Sequence, residues 1–126
     1  MNFSDKAKVL EYHIRLIDRF GGSHGIRDEG ALESALMAVE NRFHYEEADV
    51  EICAATYAIH LSKAHTFIDG NKRIAAAMAE LFLKINGAWL MASDNMLEDF
   101  YMGIAAGEIS RDDAEEFFKE WVVKAE

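Results

Sequence analysis

The sequence of 126 residues contains no proline and a single cysteine, Cys53. One cysteine excludes an internal disulfide and a zinc site built on several cysteines. Cys53 lies in an apolar stretch, so we interpret it as a thiol of the core. Because proline is absent, β-branched residues are sparse and Ala, Leu, Met, Glu and Lys are abundant, the local preferences favour helix along nearly the whole chain.

Positive charge and long hydrophobic runs are also scarce. Thirteen basic residues stand against 23 acidic residues, which gives a formal net charge of -10. Such a charge repels nucleic-acid backbones and anionic lipid surfaces, so we expect neither direct nucleic-acid binding nor a membrane partner. No apolar run is long enough to span a bilayer and the first residues show no basic-then-apolar signal pattern, so we expect a cytoplasmic protein. Any phosphate site must then be a local cluster of basic side chains and backbone N–H groups.

The residues that are present predict an all-α bundle. Hydrophobic residues make up 51% of the chain, enough for the core of one domain over residues 1–126. Apolar residues recur at helical spacing, and the dense apolar pattern after Val50 predicts a buried central helix. Ser4 is the expected cap of the first helix, and Ser110 begins the last one. Helices are expected over about 5–20, 28–41, from 50, 71–86, 93–106 and from 110, with an extended piece at 88–91.

The segment with the clearest chemical character is His65–Arg73, between the third and fourth predicted helices. Gly70 permits a positive φ or a close approach to a ligand, and the helix that begins at Asn71 presents unpaired N–H groups. Lys72 and Arg73 are unfavourable against the dipole of this helix unless an anion compensates them. The segment therefore predicts a phosphate-binding loop.

Two more side chains in this segment suit catalysis. Asp69 offers a carboxylate oxygen for Mg²⁺, which proteins usually hold with one or two carboxylates plus substrate phosphates. His65 can accept a proton from a hydroxyl group near neutral pH. Taken alone, each residue is more often structural, and only their joint occurrence in one short loop favours catalysis. A zinc site and a Walker-type loop are disfavoured because neither consensus pattern occurs.

Three other histidines, His13, His24 and His60, have no acid or hydroxyl partner at helical spacing. We therefore interpret them as packing or surface residues rather than as members of a site. The mixed polar stretch over residues 42–47 admits two interpretations of about equal weight, a surface connection or part of a binding element.

The segment His65–Arg73 resembles the Fic/Doc signature H-x-F-x-[DE]-x-N-x-R. Phe67 matches the anchoring aromatic residue of the signature, and the Asn71-Lys72-Arg73 version is similar to that of the death-on-curing (Doc) toxins of type II toxin–antitoxin systems. The likeness extends over roughly residues 20–110. Weaker matches flank the motif at residues 20–22, 25–28, 32–36, 81–83 and 86–87.

The resemblance implies a Fic-type helical bundle of about six helices with a short β flap, expected near residues 42–47. His65 would be the general base on a Ser, Thr or Tyr hydroxyl of a target protein, and Asp69 would bind Mg²⁺. The implied catalytic residues are His65, Asp69 and Lys72, and the implied nucleotide contacts are Lys63, Gly70, Asn71, Lys72 and Arg73.

The residue at position 72 bears on the reaction that the resemblance implies. Most Fic enzymes transfer AMP and have glycine in place of Lys72 and a second arginine in place of Ala76. In the Doc group the lysine accompanies a reversed nucleotide, and this implies a protein kinase that uses ATP and Mg²⁺. Elongation factor Tu is then the expected target, and a small antitoxin of the Phd type the expected partner. Ala77 replaces an asparagine found in that group, so AMP transfer and a non-catalytic binding protein stay as alternatives.

Overall fold

The structure is a computed structural model and describes residues 1–125. Within these residues it contains six helices, none of which is long and apolar enough to cross a membrane. The predicted all-α class, with about six helices and a short β element, is confirmed. In chain order the elements are α1 (Lys6–Phe20), α2 (Glu29–Glu46), α3 (Val50–Ala64), α4 (Asn71–Ile85), β1 (Ala88–Leu90), α5 (Asp94–Ala105), α6 (Arg111–Trp121) and β2 (Val122–Lys124).

Helix α3 lies at the centre of the bundle, where it packs against α2, α4, α5 and α6. Ala54 and Ala58 of this helix are fully buried and let the neighbouring helices approach closely. Cys53 is fully buried as predicted, and its burial raises the pKa of the thiol to about 11. The prediction of a buried central third helix is confirmed. The predicted loop follows directly after the end of this helix.

Two predicted helix boundaries are wrong. The N-cap of α1 is Asp5, whose carboxylate accepts the backbone N–H of Lys8 at 2.8 Å, whereas Ser4 donates its own N–H to the Tyr57 hydroxyl. Helix α2 does not end near residue 41 but continues to Glu46, because the guanidinium of Arg42 pairs with the Glu46 carboxylate at 2.9 Å. The stretch expected to hold the flap is therefore mostly the last turn of a helix.

The short β element of the fold lies elsewhere in the chain. Strands β1 and β2 form an antiparallel ribbon in which Trp89 is the partner of Val123. The extended piece expected at 88–91 is thus confirmed as β1, while its partner after α6 was not predicted. An ion pair of 2.8 Å between Lys124 and the nearly buried Glu51 ties the end of this ribbon to the first turn of α3.

Candidate active site

The predicted loop connects the central helix α3 to α4. His65 ends α3 in the left-handed conformation with φ 48°, and Gly70 precedes α4 with φ 79°. Glycine adopts this region at no steric cost, but a histidine does not. The conformation of His65 must therefore be maintained by its surroundings, and its side chain is exposed at the edge of the loop.

One support of the loop comes from the connection between α1 and α2. The carbonyl oxygen of Thr66 accepts hydrogen bonds from the backbone N–H groups of Arg27 at 2.6 Å and Asp28 at 2.9 Å. An antiparallel bridge joins Ile26 to Phe67 in the same place. The glycine-rich connection between α1 and α2 therefore stabilises the loop, because the two segments pair as a short β ribbon.

A second support lies beneath the loop, on α1. The Phe67 ring is buried and stacks on the imidazole of His13, with ring centroids 3.6 Å apart and planes inclined by 6°. The same imidazole is bonded through Nε2 to the carbonyl oxygen of Asp69 at 2.7 Å. The interpretation of His13 as a packing residue is correct for the ring but missed this hydrogen bond, because its partner is 56 residues away in the sequence.

Asn71 closes the loop at its end. Its side-chain amide donates to the carbonyl oxygen of Phe67 at 2.8 Å and its side-chain oxygen accepts the N–H of Phe67 at 3.0 Å. Both polar atoms of the side chain are thereby engaged with the backbone, so Asn71 fixes the loop against the first turn of α4. Its predicted contact with a phosphate stays a prediction.

The Asp69 carboxylate is exposed and held by two backbone N–H groups. Oδ2 accepts the N–H of Ser23 at 3.0 Å, and Oδ1 accepts the N–H of Gly70 at 2.8 Å. A Cβ on Gly22, whose φ is +117°, would lie 2.6 Å from Oδ2, so this glycine permits the close approach. Each oxygen keeps a lone pair for a cation.

The donor set fits Mg²⁺ better than a transition metal. Across residues 1–125 no group of three or more His, Cys, Asp or Glu side chains is gathered for a metal ion. A single carboxylate beside a phosphate-binding helix end is how proteins commonly hold Mg²⁺, which keeps several waters and binds substrate phosphates. Asp69 would be the protein ligand of such an ion, whose remaining ligands would come from a nucleotide and from water.

The two cations of the motif point to different partners. The ammonium of Lys72 lies 2.8 Å from the Glu98 carboxylate on α5 and 3.6 Å from the sulfur of Met102. The guanidinium of Arg73 lies over the ring of Phe20, 4.6 Å from its centroid. Lys72 is therefore neutralised within the chain, whereas Arg73 is positioned by an aromatic ring that leaves its charge available.

Lys63 lies in the last turn of α3, two residues before His65, and is exposed at the edge of a groove between α2 and α3. The groove has a volume of about 410 Å³ and also borders His60. Desolvation lowers the pKa of His60, and the charges of Lys63, Arg111 and Arg42 lower it further. The structure thus brings Lys63 next to the site but places it on a neighbouring groove, and its predicted phosphate contact stays a prediction.

The start of α4 differs from that of the other helices within residues 1–125. Each of the other five begins with an Asp or Ser side chain that accepts a backbone N–H of its first turn. Helix α4 begins at Gly70 with no side-chain cap and no acidic residue in its first turn. Its uncapped N–H groups, together with Arg73, make this end of the helix attractive to an anion, and Lys72 would add its charge on leaving Glu98.

Comparison with known proteins agrees with the motif and its geometry. Residues 3–83 match the Fic/DOC family. The chain belongs to this family. It is 38% identical over 104 residues to Protein kinase doc of Escherichia phage P1, a match that covers 82% of each chain. It is also 37% identical over 75 residues to Toxin Doc of Mycolicibacterium smegmatis, covering 58% of each chain. The predicted resemblance to the Fic/Doc group is confirmed.

The contacts of the loop can be placed relative to the range of the Fic/DOC match. Residues 3–83 include α1, α2, α3 and the loop with most of α4, and thus every support of the loop described above. Glu98, which neutralises Lys72, lies on α5 outside the matched range.

Proposed function

We propose that the chain is a Doc-type toxin that transfers the γ-phosphate of ATP to a hydroxyl group of a target protein, with Mg²⁺ as cofactor. The observation that carries this proposal is the uncapped, positively charged start of α4 beside an exposed histidine and an exposed carboxylate. The name of one relative, Protein kinase doc, supports a kinase in particular.

In the proposed reaction His65 is the general base. It would accept the proton of the target hydroxyl while the hydroxyl oxygen forms a bond to the γ-phosphorus and the bond to the β-phosphate oxygen breaks, releasing ADP. Arg73 and the N–H groups of α4 would bind the phosphate oxygens and orient the γ-phosphorus toward His65. Mg²⁺ held by Asp69 would offset the negative charge of the phosphates.

Lys72 favours phosphate transfer over AMP transfer in this proposal. Most Fic enzymes transfer AMP and have glycine in place of Lys72. A lysine side chain at this position occupies space near the start of α4. Lys72 would serve as a cationic contact for the phosphates once it leaves Glu98. Ala76 and Ala77 provide no polar group on α4, so the nucleotide contacts would come from the loop, the first turn and Lys63.

The biological setting follows from the same resemblance. We propose elongation factor Tu as the target, a small Phd-type antitoxin as the partner that inhibits the chain, and the cytoplasm as its location. The name Toxin Doc of a second relative supports the toxin role and an associated antitoxin.

The position of a radioactive label in ATP tests the reaction. The purified chain is incubated with Mg²⁺, elongation factor Tu and ATP labelled at either the α- or the γ-phosphate. Phosphate transfer predicts a labelled target only from γ-labelled ATP, together with ADP as product. A target labelled only from α-labelled ATP would replace the proposal with AMP transfer. Binding of MgATP with no transfer of either label, in lysate as well, would favour a non-catalytic protein.

Glu98→Gln is expected to strengthen binding of MgATP about twofold to fivefold. An exposed ion pair such as Lys72–Glu98 contributes about 0.2–1 kcal/mol, and this free energy is lost when the Lys72 ammonium moves to the phosphates. Without the carboxylate, the ammonium binds the phosphates without breaking an ion pair. Calorimetric titration with MgATP measures the effect. Asp99→Asn is the matched control, because it removes the same charge from the next residue of α5. Equal affinities of the two variants would show that Lys72 does not contact the phosphates.

A further inference from the structure

We propose that His13 of α1 is a positioning residue for the catalytic loop. It connects a buried face of α1 to two residues of the loop, Phe67 and Asp69. Through this connection it sets the place of the Asp69 carboxylate. The inference rests on the proposed function for its catalytic consequence, but its geometric part concerns the loop alone.

The hydrogen bond determines which ring nitrogen of His13 carries a hydrogen. A carbonyl oxygen can only accept, so Nε2 of His13 must carry the hydrogen that is donated to the Asp69 carbonyl at 2.7 Å. A Cβ on Gly70 would lie 3.4 Å from this nitrogen and 3.2 Å from the Cδ1 of Ile17. The backbone of the loop therefore rests directly on α1.

The polarity of His13 is unusual for its place. Val9, His13 and Ile17 are the buried residues of α1, and they follow one another at intervals of one turn. An apolar residue at the middle position would satisfy packing alone, whereas a buried polar group costs free energy unless it is bonded. His13 is bonded to the loop and to no other described part of the chain, so its polarity serves the loop.

The supports of Asp69 act from two directions. The N–H of Ser23 holds the carboxylate from the side, and His13 holds the carbonyl of the same residue from below. The flat stack of His13 on Phe67 restrains the loop two residues earlier. With the carbonyl of Asp69 released, the residue loses its bond to α1 and keeps only the bonds of its carboxylate to the N–H groups of Ser23 and Gly70. Misplacement of a catalytic group by about 1 Å can reduce an enzymatic rate by about 10²-fold.

Two variants separate the hydrogen bond from the stack. His13→Phe keeps an aromatic ring against Phe67 but has no donor for the Asp69 carbonyl. His13→Gln keeps an N–H donor at about the reach of Nε2 but has no ring. Val9→Ala is the control, since it removes buried atoms one turn away on the same face of α1 and leaves the His13 side chain in place. If His13→Phe does not fold, His13→Leu removes the donor with a smaller side chain.

The first measurement uses hydrogen exchange of the protein without nucleotide. In His13→Phe the amides of residues 66–71 are expected to exchange about fivefold faster or more, because a hydrogen bond that restrains local opening is lost. In Val9→Ala these amides should exchange as in the wild type relative to the amides of α3. In His13→Gln, which loses the stack but keeps a donor, they should exchange more slowly than in His13→Phe. Unchanged exchange in His13→Phe would overturn the inference.

The second measurement is phosphate transfer as a function of Mg²⁺ concentration. His13→Phe is expected to lower kcat about 10- to 100-fold and to raise the Mg²⁺ concentration needed for half-maximal rate, and His13→Gln should recover most of the loss. If His13 were merely structural, kcat would fall in both His13 variants and in Val9→Ala, in each case in proportion to the loss of stability. If the wild type transfers no phosphate the proposed function fails, while the exchange experiment still decides whether His13 positions the loop.

Discussion

His65→Asn is expected to lower the rate of phosphate transfer by about 10²- to 10⁴-fold, the usual loss when a general base is removed. Asparagine tolerates the left-handed conformation that His65 adopts with φ 48°, so the loop should keep its shape. The amide cannot accept a proton from a hydroxyl group near neutral pH. Single-turnover transfer from γ-labelled ATP to the target measures the loss of the chemical step.

Stability and a second histidine provide the controls for this variant. His65 is exposed at the end of α3, so its replacement should leave the unfolding midpoint almost unchanged. His44→Asn changes another exposed histidine, on the last turn of α2, and should transfer phosphate at the wild-type rate. If His65→Asn is as active as His44→Asn, the general base is another group and the assignment of His65 is wrong.

Phe67→Ala is expected to lower the free energy of unfolding by about 3–5 kcal/mol, the range found for large-to-small changes of buried aromatic residues. The ring is 2% exposed and stacks on His13, and the backbone of the same residue is bonded in both directions to Asn71. A cavity at this place therefore weakens the core and the loop together. Denaturant unfolding followed by circular dichroism measures the loss.

Comparison with other substitutions distinguishes burial from aromatic character. Phe67→Leu should cost only about 1–2 kcal/mol, because leucine keeps most of the buried apolar volume. Tyr45→Ala removes an aromatic ring that is 83% exposed and should change the stability by less than about 0.5 kcal/mol. A loss below about 1 kcal/mol in Phe67→Ala would mean that the ring does not anchor the loop.

Local signals predicted several helix starts correctly, although the equally local cap of α1 by Asp5 was not predicted. The start of α4 at Asn71 and the cap of α6 at Ser110, with its reciprocal bond to Asp113, depend on residues within one turn of each other. Prediction failed at the end of α2, where Arg42 also pairs with Glu115 of α6 at 3.3 Å. Glu115 is distant in the sequence, whereas the pair of Arg42 with Glu46 is a local signal that the interpretation of this polar stretch as a loop overlooked.

The candidate site divides in the same way. The motif itself, from His65 to Arg73, is contiguous, so its residue types predicted a chemistry and its resemblance to the Fic/Doc signature predicted the family, which the Fic/DOC match confirms. The residues that support the loop could not be predicted, since His13 and Ser23 are separated from Asp69 by 56 and 46 residues of sequence. Neither histidine nor serine carries a local signal for such a role.

The amino-acid sequence by itself determined the helical class, the contiguous loop and the family, because each depends on neighbours along the chain. Only the tertiary structure decided that Glu98 neutralises Lys72, that Asn71 is bonded to the backbone of Phe67 and that the imidazole of His13 holds the loop from below. Hydrogen bonds and ion pairs act over a few ångströms, so those between distant segments exist only after the helices have packed.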